Sequence, residues 1–372
     1  MENKTNQILT SKRYHDLDLA RAIPLLFLPF IHCYEEFNAI HLLSPTLVER
    51  GRIFLFLCMI CPSVFMMELG MNITFSTHTS DTELAHRGIR TILYFYLLNI
   101  ARGGIPAIVF GLIFKQYDAI KELRICLLQS DILFFAGAAF LFFALMKHWN
   151  VKPYHILVIA IFLLALDILI PNGITQNYTL RALLGNIFYV SSGSCFPLLS
   201  WLIFPTVGYL MGGYLKKLPD EKSINSFFRD MLFGSIAVLL CTAACLKNYG
   251  LNPLLIATSP ANDYITDLFN VLLDLAIAGI WFSVIHFLYG CIHSVRIKRV
   301  ADIISRGILS FFVIQWLFVG WIEYLFYCSG YPKSLSDASF FIISVLVFAA
   351  SLTLAVIRQI RKDKKRGLVI HF

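Results

Sequence analysis

The stretch RYHDLDLARAIPLLFLPFIHCYEEF, residues 13–37, reads as a membrane helix except that it carries Asp18, Arg21, His32, Glu35 and Glu36. An ionisable group at the centre of a membrane helix costs about 2.5–3.5 kcal/mol on insertion scales, so such groups face a protein interior or a wet cavity and default to functional candidates. The surrounding chain leaves no doubt about the solvent. It is 58% hydrophobic and 15% charged, with a mean hydropathy of +0.71, where a soluble domain is about a quarter charged. Apolar runs long enough to cross a bilayer, about 20 residues each, recur from end to end.

The expected fold is therefore all-α: a polytopic integral membrane helical bundle of about ten transmembrane helices. Spans are expected near 17–38, 52–72, 91–114, 125–146, 154–170, 196–215, 230–248, 268–290, 307–327 and 338–358. A further apolar stretch at 180–190, broken by Gly185 and Asn186, reads as a re-entrant or interfacial piece. The first span follows Lys12 and Arg13 and runs into a charged end, so no cleavable signal peptide is expected. One domain over 1–372 is the economical reading, with a short N-terminal segment 1–16 and a basic tail 359–372.

Orientation follows from the basic residues. With the N-terminus inside, the inner segments hold Lys4, Lys12, Arg13, Arg21, Arg87, Arg90, Lys147, Lys152, the 216–229 and 296–306 groups and the tail RQIRKDKKR. The outer segments hold only Arg50, Arg52, Lys115, Lys121, Arg124, Arg181, Lys247 and Lys333, so the inside is favoured by about three to one. Both termini are expected to be cytoplasmic, in a plasma or inner membrane. The net charge of +8 is explained by this topology, and no nucleic-acid partner is implied. Most of the nine cysteines lie in predicted spans, where they act as small hydrophobes. Cys58 and Cys61 have the spacing of a metal half-site but no second pair, which favours packing.

At 100° per residue, Arg21 and His32 differ by about 20° in azimuth, and Asp18, Glu35 and Glu36 fall on the same face. Along the axis the two are about 16 Å apart. The helix thus offers polar stations at two depths. Other spans repeat the pattern, with Arg102, Asp131, Asp274 and Glu323 toward the outer side and Glu68, His286, Arg87 and Arg90 toward the inner side. A neutral imidazole at His32, oriented by Glu35 or Glu36, can deprotonate an acceptor hydroxyl or amine or accept an acyl group.

Arg21, ten intervening residues and His32, preceded by LDLA, resemble the first-helix signature of the transmembrane acyltransferase superfamily. ICPSVFMMELGMN, HRGIRTILYFYLLN, LLQSDILFFAGAAF and FPLLSWLIFPTVGYLMGG resemble later landmarks of its heparan-alpha-glucosaminide N-acetyltransferase-like branch. Two positions depart from that pattern: Ala22 stands where the branch usually has Gly, as in the acyltransferase-3 branch, and Gln315 where a late-helix His is expected. The resemblance implies acyl transfer from cytoplasmic acyl-CoA, acetyl-CoA by preference, to a saccharide or cell-envelope glycan on the far side. Of the residues, the resemblance carries over only Arg21 and His32; depth and charge add Glu35 and Glu36 to His32 as catalytic, and Arg87 and Arg90 to Arg21 for the donor's phosphates. Arg102, Asp131, Asp274 and Glu323 meet the acceptor. No nucleotide loop or zinc signature is present, so neither ATP nor a metal is implied. The partners expected are the acceptor and membrane lipid. The rival reading is a secondary transporter, since intramembrane charges also mark ion pathways.

Overall fold

The computed structural model describes residues 14–58, 60–77, 79–121, 123–128, 131–170, 175–190, 195–251 and 268–365. Among these there is no β-strand. The chain begins with α1 (His15–Ala39), α2 (Pro45–Cys58), α3 (Ile60–Phe75) and α4 (Asp81–Asn99). A π-helical segment, Ile100–Gly104, leads into α5 (Ile105–Ile113) and the short α6 (Tyr117–Lys121) and α7 (Leu123–Leu128). Then come α8 (Ile132–His148), α9 (Pro153–Leu169), α10 (Tyr178–Leu184), α11 (Leu198–Trp201) and α12 (Ile203–Leu215). Last are α13 (Glu221–Asn248), α14 (Leu268–Cys291), α15 (Val295–Ser329) and α16 (Asp337–Lys365). Among the described residues seven helical stretches are long and apolar enough to cross a bilayer, joined by the shorter apolar α8 and α9. The molecule is an all-α polytopic membrane bundle.

Several boundaries differ from the hydropathy reading, each for a local reason. The expected second span, 52–72, is covered by α2 and α3, with residue 59 outside the described set. The fourth begins at Ile132 because Asp131 caps α8, its side chain accepting from the Leu133 N–H. α13 and α15 start early because Asp220 and Ser294 cap them. α16 runs to Lys365, so the first part of the expected basic tail is helical. It is also packed, since Arg306 of α15 reaches Asp363 at 2.8 Å and Gln359 donates to the same carboxylate at 2.8 Å. The 180–190 stretch holds only the seven-residue α10.

Two prolines lie inside α1, and a proline removes the amide that would bond the carbonyl four residues back. For Pro24 that carbonyl is Ala20, and the Trp281 indole of α14 donates to it at 2.7 Å. The π-helical segment repeats the device. There the bonds run five residues back, as from Ile105 to Ile100. Pro106 has no amide for the Ala101 carbonyl, which instead accepts from the Trp321 indole of α15 at 3.1 Å. At Pro24 and Pro106 an indole thus supplies the missing donor and ties the helix to a neighbour.

Close crossings set the rest. On α3 and α12 a Cβ added at Gly70 would strike the Pro205 carbonyl, and one at Gly208 the Met67 carbonyl. Small residues let membrane helices approach in this way. Two apolar clusters result, one centred on α3, α8, α9, α12 and α14, the other on α1, α15 and α16. Cys61 is buried in the second, while the side chain of Cys58 lies outside those described. α1 contributes Leu17 and Ala20 to the first cluster and Leu25 through Phe37 to the second. Its start marks the proximal end of the bundle and Ala39 the distal end.

Trp281→Phe leaves the Ala20 carbonyl without its donor and is expected to cost about 1–3 kcal/mol in a detergent unfolding assay. In a Pro24→Ala background, where the backbone amide returns, the same change is expected to cost much less.

Candidate active site

At the distal end α1 presents His32, 8% exposed, to α15. Its Nδ1 lies 3.0 Å from Oε1 and 2.8 Å from Nε2 of Gln315. The amide can therefore serve either tautomer, accepting from Nδ1–H or donating to a bare Nδ1. The imidazole is stacked on Trp316, with ring centroids 3.8 Å apart and planes 22° from parallel. Two adjacent residues of α15 thus fix the ring's plane and its edge.

The Arg102 guanidinium lies over the same indole, 4.0 Å from its centroid. Arg102 projects from the π-helical segment, which packs directly on α15 because Gly320 has no Cβ to strike the Arg102 carbonyl. Its Nε donates to Asn99 Oδ1 at 3.1 Å, and a terminal nitrogen is 3.2 Å from Asp131 Oδ2. Asp131 uses its other oxygen for the α8 cap, so one carboxylate starts a helix and neutralises a buried cation. Glu36, one turn beyond His32, faces Glu323 of α15. Arg102 and Asp131 lie within electrostatic reach of Glu36. Cys195 lies within electrostatic reach of Glu35, Glu36, Asp131 and Arg102. The Trp316 indole N–H is buried and has no hydrogen-bond partner among the described residues.

The proximal station is built on Arg21. Its Nε is 3.1 Å from Glu68 of α3 and a terminal nitrogen 3.3 Å from Asp18, while that nitrogen also donates to Ser305 of α15 at 3.2 Å. Glu68 in turn accepts from Asn72 at 3.3 Å. Nearby, His286 of α14 bridges Asp16 at 2.6 Å and Asn225 at 2.8 Å and stacks on Phe228. Polar groups therefore fill both depths foreseen from the spacing on α1.

Of the residues singled out in the sequence, His32, Glu36, Arg102, Asp131 and Glu323 gather at the distal station, and half-buried Glu35 lies on the same helix one residue before Glu36. Asp274 is half-buried on α14, seven residues before Trp281. Arg87, over the Phe140 ring at 4.9 Å, and exposed Arg90 belong to a pocket of about 440 Å³ with Ser76, Glu83 and His86, apart from the partners of Arg21. The partner of His32 differs from the expected Glu35 or Glu36. Glu36 reaches across to Glu323, and Gln315 takes the imidazole edge. Gln315, Trp316 and Asn99 were not proposed as functional. Gln315 carried a signal nonetheless, being the one amide in the run SFFVIQWLF.

These features define a multi-pass helical membrane protein with a histidine site at one depth and an arginine cluster at the other. A family model described as heparan-alpha-glucosaminide N-acetyltransferase, catalytic, matches residues 13–244. The chain belongs to that family, and is a membrane acetyltransferase by membership. No match is found among curated proteins or among solved structures. The matched stretch holds His32, Arg102 and Asp131, whereas Gln315, Trp316 and Glu323 lie beyond it.

Removing one member of a buried ion pair strands the other charge, at a cost of about 3–5 kcal/mol. Asp131→Leu is expected to destabilise the folded protein by about that amount, and adding Arg102→Met to recover most of it. Thermal unfolding of both variants in one detergent checks the pair.

Proposed function

We propose that this chain transfers an acyl group, acetyl by preference, from a cytoplasmic acyl-CoA to a hydroxyl or amine of a saccharide or cell-envelope glycan at the opposite face. One observation carries the reading: His32 is held on Trp316 by Gln315 beside Arg102, Asp131 and the Glu36–Glu323 pair, at the end of the bundle away from most of the cationic side chains. The proximal end is taken as cytoplasmic, in keeping with the distribution of Lys and Arg.

In this scheme Nε2 of His32 accepts the proton of the acceptor hydroxyl or amine, with Gln315 Oε1 holding the Nδ1–H tautomer. The acceptor oxygen or nitrogen forms a bond to the thioester carbon, the carbon–sulfur bond breaks, and the thiolate leaves with the proton returned by the imidazolium. The buried Trp316 N–H is available to the carbonyl oxygen as negative charge gathers on it, and Arg102 adds positive potential close by. Asp131, Asp274, Glu323 and Arg102 would bind acceptor hydroxyls, and Glu35 and Glu36 would shape the site around the imidazole. Arg21, Arg87 and Arg90 would serve the donor's phosphates. For Arg21 this requires one carboxylate to yield. Asp18, with its side chain 15% exposed, is the partner to give way rather than Glu68 at 3%.

Sealed proteoliposomes containing labelled acetyl-CoA and a glycan extract outside test the function. Label bound to external glycan supports it, whereas label that stays on CoA, or crosses only as free acetyl-CoA, contradicts it. Trp316→Phe keeps the ring beneath His32 and removes the N–H. It is expected to lower kcat by about 100-fold with little change in KM for acetyl-CoA, the usual scale for losing one oxyanion donor.

A further inference from the structure

A second polar cavity lies away from both stations. It occupies about 520 Å³ at the proximal end, between the turn that follows α3, the α8–α9 turn and the end of α12. Three ammonium groups line it, Lys147, Lys152 and Lys216, and no acidic side chain does among the described residues. Lys216 donates to the Thr74 carbonyl at 3.2 Å and Lys147 to the Thr79 carbonyl. Those contacts hold the ammonium groups in place without neutralising them, and each keeps two N–H bonds to give. Lys152 is the N-cap of α9 and makes no side-chain capping bond, so the first turn of that helix adds partial positive charge to the same cavity.

Its floor and surroundings limit what it can hold. Leu84, Phe143 and Ile156 of the floor belong to the main apolar cluster and close the cavity off from the interior. Exposed Trp149 and Tyr154 flank the α8–α9 turn. Aromatic side chains of this kind settle at the level of lipid headgroups. A cationic cup at that level, with a closed floor, fits a ligand presented from the bilayer surface.

We propose that this cavity binds the phosphate headgroup of an anionic membrane lipid, held by Lys147, Lys152 and Lys216. Such a lipid would brace the α8–α9 turn against α3 and α12. The proposal is independent of the acyl-transfer reading, because lipid retention is measured without turnover.

The test uses the purified full chain in nanodiscs of phosphatidylcholine with a minority of phosphatidylglycerol, reading bound lipid by native mass spectrometry. The wild type is compared with Lys147→Gln/Lys152→Gln/Lys216→Gln and with the corresponding triple Lys→Arg variant. At about a factor of five per lysine near an anionic surface, phosphatidylglycerol retention is expected to fall about 100-fold in the Gln variant and to survive in the Arg variant. A parallel arm measures CoA and inorganic phosphate binding in pure phosphatidylcholine nanodiscs. Equal phosphatidylglycerol retention by wild type and the Gln variant, both folded by thermal unfolding, overturns the proposal. So does unchanged lipid retention with loss of CoA binding, which would assign the lysines to the donor.

Discussion

A guanidinium in hydrocarbon must have a carboxylate beside it, and most of this architecture follows from meeting that demand twice. Arg21 is matched by Asp18 and Glu68, which fastens α1 to α3, with Ser305 adding α15. Arg102 is matched by Asp131, which fastens the π-helical segment to the first turn of α8. The ring of Trp316 then lies against Arg102 on one hand and His32 on the other. The distal pair therefore does more than satisfy a buried charge. Through Arg102 it also places a cation over the same indole on which the His32 imidazole is stacked.

At two of its backbone irregularities another helix makes good the loss. Pro24 and Pro106 each leave a carbonyl without its amide, and Trp281 and Trp321 each supply an indole N–H in its place. In a bilayer, where water cannot serve, unpaired backbone groups must be satisfied from within the protein. The π-helical turn that Pro106 follows is the one that presents Arg102, and Gly320 lets it sit on α15. Among the described residues, which hold no strand, the π-helical turn coincides with the distal polar station.

The membrane class and most helices were legible because hydropathy reports burial in lipid directly. The two-depth stripe on α1 was legible because an eleven-residue spacing returns to nearly the same face of a helix. Boundaries were less so. Asp220 and Ser294 start helices well outside the apolar runs, where capping rather than hydropathy sets the limit. Partners were least legible of all. Sequence alone offered Glu35 and Glu36 to His32 because they are near in the chain, yet Gln315 is nearer in space, 283 residues along. The Arg87 and Arg90 side chains likewise share a charge and an end of the bundle with Arg21 without sharing its neighbours.

The central claim is that acyl transfer takes place at His32. Transfer of label from acetyl-CoA to a cell-envelope glycan extract, compared between purified wild type and His32→Ala of equal thermal stability, tests it most directly. Transfer by the wild type that is lost in the variant is the predicted result. Transfer that survives the substitution would contradict the claim and move the reacting centre elsewhere in the bundle.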